Sequence, residues 1–212
     1  MLQSIKLEEV VRFRHDPHWS RENKLQDLID EKPYLRLESD ADHSWHLTDL
    51  VLLLGPRFPE IDLNRAVILA HLHDKLEIFI GDQSVAGRSG TGKDAHGLNG
   101  ALKKRKVERE RKALAKYLNF LPLELGKLQK PYFEEYAERK TPESRFVAAL
   151  DVIQVLLRIV YAKVEEKGPF GGQHAPALWE LIDRYHRPKV AGFPGLIPYS
   201  EELLRRIKFK RS

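Results

Sequence analysis

The chain has 212 residues, no cysteine, 42 % hydrophobic residues, and 36 Lys plus Arg against 31 Asp plus Glu. That length suits one domain with its own core, and the missing cysteines exclude disulfides, thiolate zinc sites and cysteine nucleophiles. Apolar runs such as 50–54 are far short of the ~20 residues of a membrane helix. Glu8 and Glu9 interrupt any signal-peptide core, so a cytoplasmic location is expected. The mild basic excess favours a phosphorylated small molecule and disfavours nucleic acid as the partner.

Taken in order, the elements read as helical. Residues 2–13 carry a partial apolar stripe at Leu2, Ile5, Val10 and Val11. Ser20 can cap a helix over 20–30, which Pro33 ends, and 34–37 reads as a short extended piece. A helix over 42–54 stops at Gly55-Pro56, and another over 62–80 stops at Gly81. A glycine-rich loop spans 83–100. Helices over 101–119 and 122–138 are separated by Pro122. A long helix over 142–166 opens at Thr141-Pro142-Glu143 and closes at Gly168-Pro169. From 168 the composition turns to Pro and Gly around a short helix near 175–185, and a final amphipathic segment spans 199–209. The expected architecture is an all-α bundle over 1–167 with an appendage, 168–212, packed on it.

Helical spacing makes certain polar residues conspicuous. His43 shares a face with Leu47, Leu50 and Leu54, and His73 shares one with Ala66, Ala70 and Glu77. Asp74 is one step around the helix. Asp151 interrupts the apolar run between Leu150 and Val152. A buried carboxylate needs a counter-charge. Two imidazoles and two carboxylates form a mixed N/O donor set that suits Mn, Co, Ni, Zn or Fe, with Mg also an option. The plainer reading of each residue is a satisfied core histidine, and for Asp151 a pair with Arg158.

In chain order these residues resemble a known pattern. Arg36-Leu37-Glu38-Ser39-Asp40-Ala41-Asp42-His43-Ser44, then Ala70-His71-Leu72-His73-Asp74-Lys75-Leu76-Glu77-Ile78-Phe79-Ile80-Gly81-Asp82, then Phe146-Val147-Ala148-Ala149-Leu150-Asp151 look like the motifs of the HD-domain phosphohydrolases. The likeness is to the branch of the 5′-deoxyribonucleotidases. It covers roughly residues 34–160 and implies an all-α HD bundle. It implies His43, His73, Asp74 and Asp151 as metal ligands and Glu77 as the acid/base that handles the attacking water. It implies Asp82 as a carboxylate that meets the sugar, and Arg36 as a conformational or substrate-contacting arginine. Arg88 and Lys93 are further candidates to meet phosphate. The family's Arg-Trp pair, about fifteen residues before the first ligand histidine, has no counterpart near Leu28.

The reaction so implied is metal-dependent hydrolysis of a (deoxy)nucleoside 5′-monophosphate to nucleoside and phosphate. One alternative is release of pyrophosphate or triphosphate from a nucleoside triphosphate. The other is a non-catalytic nucleotide- or RNA-binding module with a structural metal. The resemblance leaves a homodimer open.

Two motifs are set aside. Gly87-Arg88-Ser89-Gly90-Thr91-Gly92-Lys93 fits GxxxxGK, but Asp94 stands where a P-loop needs Ser or Thr, and no strand precedes it. Lys103-Lys104-Arg105-Lys106 runs into Glu108 and Glu110, as a solvated helix face does. His174 and His186 are expected at the surface.

Overall fold

The computed structural model describes residues 6–12, 38–162 and 179–207. Among them the helices are α1 (Asp40–Leu54), α2 (Leu63–Leu72), α3 (Glu77–Ile80), α4 (Gly100–Leu118), α5 (Leu123–Glu138), α6 (Pro142–Ala162), α7 (Arg187–Ala191) and α8 (Ile197–Ile207). A π-helical turn, Ile182–His186, leads into α7. Among the described residues the sole β pairing is the isolated bridge between Val11 and Ser39. The all-α expectation holds. No described helix is long and apolar enough to cross a membrane.

The helix starts follow from side-chain chemistry. Ser39 and Asp42 form a capping box at α1: Ser39 Oγ accepts from Asp42 N, and Asp42 Oδ2 accepts from Ser39 N. This places His43 in the first turn of α1, facing inward with Leu47 and Leu50. Asp62 caps α2 and Asn99 caps α4, and Thr141 Oγ1 accepts from Ser144 N at the start of α6.

The core joins α1, α2 and α6. Leu47, Leu69, Phe146, Leu150 and Ile153 are its most buried members. Phe193, Leu196, Leu203, Leu204 and Ile207 belong to the same apolar cluster. Rings of Phe58, Phe146 and Phe193 meet at 5.0–6.0 Å between centroids, within the range of favourable aromatic pairs. A smaller cluster of Leu72, Leu76, Ala113, Tyr117 and Phe133 ties the end of α2 to α4 and α5.

Three expectations are corrected. The helix over 62–80 breaks after Leu72: Lys75 N and Glu77 N reach back only three residues, to Leu72 O and Asp74 O. Of the helix over 2–13, the described residues 6–12 form a 3₁₀ turn, Lys6–Glu8, after which the chain pairs with Ser39 across the Val11 bridge. His186 is buried and bonded to Ser200 Oγ at 2.8 Å, so it is no surface histidine. The elements expected over 20–30 and 34–37, together with Arg36 and His174, lie outside the described residues.

Candidate active site

The site forms where the N-terminal turn of α1, the end of α2 and the middle of α6 meet. His43, fully buried, has its Nε2 3.1 Å from His73 Nε2, 3.6 Å from Asp74 Oδ2 and 3.3 Å from Asp151 Oδ1. His73 Nε2 is 3.0 Å from the same Asp74 oxygen. The structure thus brings together all four residues implied as ligands. Asp151 is half-buried and meets His43 at hydrogen-bond distance.

The other ring nitrogens are committed elsewhere. His43 Nδ1–H donates to Gln154 Oε1 at 2.9 Å, and His73 Nδ1–H donates to the Ala70 carbonyl at 2.8 Å. These are the tautomers the surrounding acceptors demand. With Nδ1 so committed, both rings turn Nε2 towards one place, beside two carboxylates. The arrangement is repulsive without a positive charge between the donors. The donor set fits a divalent cation, and His43, His73 and Asp74 have ligand atoms close enough together to share one.

The electrostatics follow the contacts. Burial works against ionised Asp74, but the charge and hydrogen bond of His73, then Arg12 and His43, hold its pKa well below the usual carboxylate range. Asp151 is likewise held low against burial, by His43, His73 and Lys189. Burial works against charged His73, yet Asp74 and Asp151 raise it.

A second group of carboxylates, Asp40, Glu77 and Asp82, stands beside the first. The break after Leu72 turns Glu77 towards this group, so the helical i+4 relation to His73 is lost. Glu77 Oε2 and both carboxylate oxygens of Asp40 are buried without a hydrogen-bond partner. Burial, then the charges of Asp74, Asp82 and Asp40, push Glu77 well up. Burial and Asp74 push Asp40 up to about 8, against the pull of Arg12.

Asp82 and Arg88 line a cavity of about 770 Å³ together with Glu77. Lys93 is exposed and is not on its wall. The GxxxxGK segment carries its own anion. The Asp94 carboxylate accepts from Arg88 N and Ser89 N, both at 3.0 Å, and from Ser89 Oγ. Gly87 has φ 71°, and a Cβ there would collide with that carboxylate. The amides a P-loop turns towards phosphate are spent on Asp94.

Several residues of the site carry no motif. Arg12 Nη1 donates to Asp74 Oδ2 at 2.6 Å. The antiparallel bridge puts it there: Arg12 N bonds Glu38 O, and Asp40 N bonds Val10 O. Nothing local in the sequence reveals it. Gln154 was detectable. It is three residues beyond Asp151, alone among apolar neighbours, and donates from Nε2 to Glu38 Oε1 at 2.7 Å. The ring of Tyr136 meets His73 edge-on at 5.4 Å between centroids and is covered by the Arg139 guanidinium.

Comparison with known proteins places this geometry. The model of the HD domain matches residues 21–181, and the chain belongs to that family. It is 28 % identical over 138 residues to the mouse (Mus musculus) 5′-deoxynucleotidase HDDC2, covering 65 % of this chain and 60 % of that protein. The human (Homo sapiens) counterpart is 27 % identical over 133 residues, covering 62 % and 58 %. The match therefore spans about three fifths of the length of these curated relatives. A crystal structure of a predicted metal-dependent phosphohydrolase from Magnetospirillum magnetotacticum superposes with a TM-score of 0.63 at 25 % identity, covering 99 % of this chain and 94 % of that one. A conserved hypothetical protein from Pyrococcus furiosus shares the fold, with a TM-score of 0.58 at 23 % identity over 96 % of both chains.

Proposed function

We propose that this chain is a metal-dependent phosphohydrolase that cleaves a (deoxy)nucleoside 5′-monophosphate to nucleoside and phosphate. The observation that carries the reading is the pair of Nε2 atoms 3.1 Å apart, each fixed by a committed Nδ1 and flanked by Asp74 and Asp151. The nucleotidase relatives and the phosphohydrolase neighbour support the reaction class.

His43, His73, Asp74 and Asp151 would hold the metal, with Mn, Co, Ni, Zn or Fe favoured by the donor types. A divalent cation there supplies Lewis-acid polarisation and an activated water at neutral pH. Gln154 and the Ala70 carbonyl keep the two imidazoles in the tautomer that presents Nε2. Arg12 supplies positive charge beside Asp74 and is placed to screen an incoming phosphate.

Glu77 is the acid/base. Burial and the neighbouring carboxylates raise its pKa and so favour the protonated carboxyl, and Oε2 is buried without a hydrogen-bond partner. It can therefore give a proton to the leaving ester oxygen, a contribution of about 10²–10⁴ in rate. Asp82, on the cavity wall beside it, is the group that meets the sugar. In this reading residues 1–167 carry the chemistry and 168–212 form an appendage. Leu196, Leu203 and Ile207 pack into the common core, which docks that appendage on the domain.

The test is phosphate, pyrophosphate and triphosphate release from a panel of nucleoside mono- and triphosphates. Metal-stripped protein receives each divalent cation in turn, with Glu77→Ala as control. Release of phosphate from monophosphates that depends on metal and on Glu77 supports the reading; no release from any of them refutes it.

A further inference from the structure

The cavity beside Glu77 and Asp82 is larger than cleavage of one phosphate requires, and Arg88, Arg105, Lys106 and Arg109 line it. Its volume of about 770 Å³ is in the upper part of the ~300–1,000 Å³ usual for small-molecule sites. His43, His73 and Asp74 are not on its wall, so the phosphate to be cleaved belongs outside it. Gln83, Arg88, Arg105 and Arg109 are on the wall.

These donors are uncommitted in a helix that otherwise pairs its charges. On α4, Lys106 bonds Glu110 at 2.6 Å, and Arg111 and Lys112 both reach Glu108. Arg105 and Arg109, one turn apart on the same helix, have no ion pair among the described residues; neither has Arg88. Arg109 spends one nitrogen on the Ile80 carbonyl at 2.9 Å, which steadies it and leaves the rest of its fork. Gln83 Nε2 is buried with no hydrogen-bond partner. The nearby carboxylate of Asp94 is used up by the amides of its own loop. The wall thus carries four carboxylates, Glu9, Glu77, Asp82 and Asp94.

We infer that this cavity is a subsite for a second phosphate on the substrate, set apart from the phosphate that is cleaved. The inference rests on the proposed nucleotidase reading, which puts the sugar at Asp82. Guanidinium forks and an amide N–H are the donors that recognise a phosphate dianion in bidentate fashion. Asp82 repels that anion from its end of the cavity and so directs it to the arginines. A 3′-phosphate and the outer phosphates of a 5′-triphosphate share this chemistry.

The experiment measures binding first. Metal-stripped protein is titrated by calorimetry with a deoxynucleoside 5′-monophosphate, the matching 3′,5′-bisphosphate and the matching 5′-triphosphate. The same titrations follow for Arg105→Ala/Arg109→Ala, both changes being on the exposed face of α4. The expected result is that the bisphosphate or the triphosphate binds about tenfold tighter than the monophosphate, or more. Which of them does so identifies the source of the second phosphate. The ratio should collapse towards one in the double variant. Equal affinity for all three, or an unchanged ratio in the variant, overturns the subsite. Phosphate release by metal-loaded protein separates the two claims. Turnover with no preference refutes the subsite alone; preference with no turnover of any nucleotide supports the subsite and refutes the hydrolase.

Discussion

Gln154 gives the sharpest test of how the imidazoles are held. It is fully buried and bridges His43 Nδ1 and Glu38 Oε1, at 2.9 and 2.7 Å. Gln154→Met keeps the volume, so packing changes little, and it removes these two hydrogen bonds and a third, between Gln154 Nε2 and His46 Nδ1 at 3.2 Å. A donor on His43 and an acceptor on Glu38 are then buried without this partner. Each such orphan costs ~1–3 kcal/mol, so the protein should lose ~2–6 kcal/mol of stability. A domain with ~5–15 kcal/mol in hand stays folded. Removal of a partner behind a metal-ligating histidine typically lowers metal affinity ~10–100-fold, or about 1.4–2.7 kcal/mol. Circular dichroism and thermal melts follow the first quantity. Competition between a chelating dye and the protein for Mn²⁺ follows the second. A folded Gln154→Met protein with unchanged Mn²⁺ affinity would refute the claim that Gln154 sets the tautomer of a ligand.

Other substitutions separate the remaining roles. Asp151→Asn should lower metal affinity and turnover together; full metal content would remove Asp151 from the ligand set. Glu77→Gln should retain metal and lose about 10²-fold or more in kcat, and unchanged kcat would end its assignment as acid/base. Asp82→Asn should alter KM or sugar preference with metal content unchanged, and no change in either would show that the sugar is held elsewhere. Burial, then Lys189 and Arg187, pushes the His186 pKa down to about 4. Unfolded His titrates near ~6.5, so its neutral form stabilises the fold above that pH. This contribution is lost as pH falls from ~6.5 towards the folded value, amounting to ~2–3 kcal/mol by pH ~4.5. Denaturant unfolding of His186→Gln at both ends of that range should show the smaller acid loss; equal losses would contradict the burial argument.

The helical architecture was legible because its signals are local. Ser39 and Asp42 cap α1, Pro142 opens α6, and the apolar face under His43 follows from a 3.6-residue period. The pattern of His43, His73, Asp74 and Asp151 was legible through the family likeness and the misplaced polarity of Asp151. Periodicity failed between Leu72 and Glu77, where an uninterrupted apolar pattern crosses a backbone break. The break has no Pro or Gly to announce it, and it decides whether Glu77 faces His73 or the Asp40–Asp82 pair. Arg12 was beyond reach for another reason. Its contact with Asp74 spans 62 residues and depends on a single β bridge. His186 was misplaced because its partner Ser200 comes from a different helix, α8.

The central claim is that the His43–His73–Asp74–Asp151 cluster is a metal centre. Anomalous diffraction from crystals of the Mn²⁺-loaded protein, recorded at the manganese edge, tests it most directly. The account predicts a peak bounded by His43 Nε2, His73 Nε2 and the carboxylates of Asp74 and Asp151. A manganese peak elsewhere, with none inside that cluster, would contradict it.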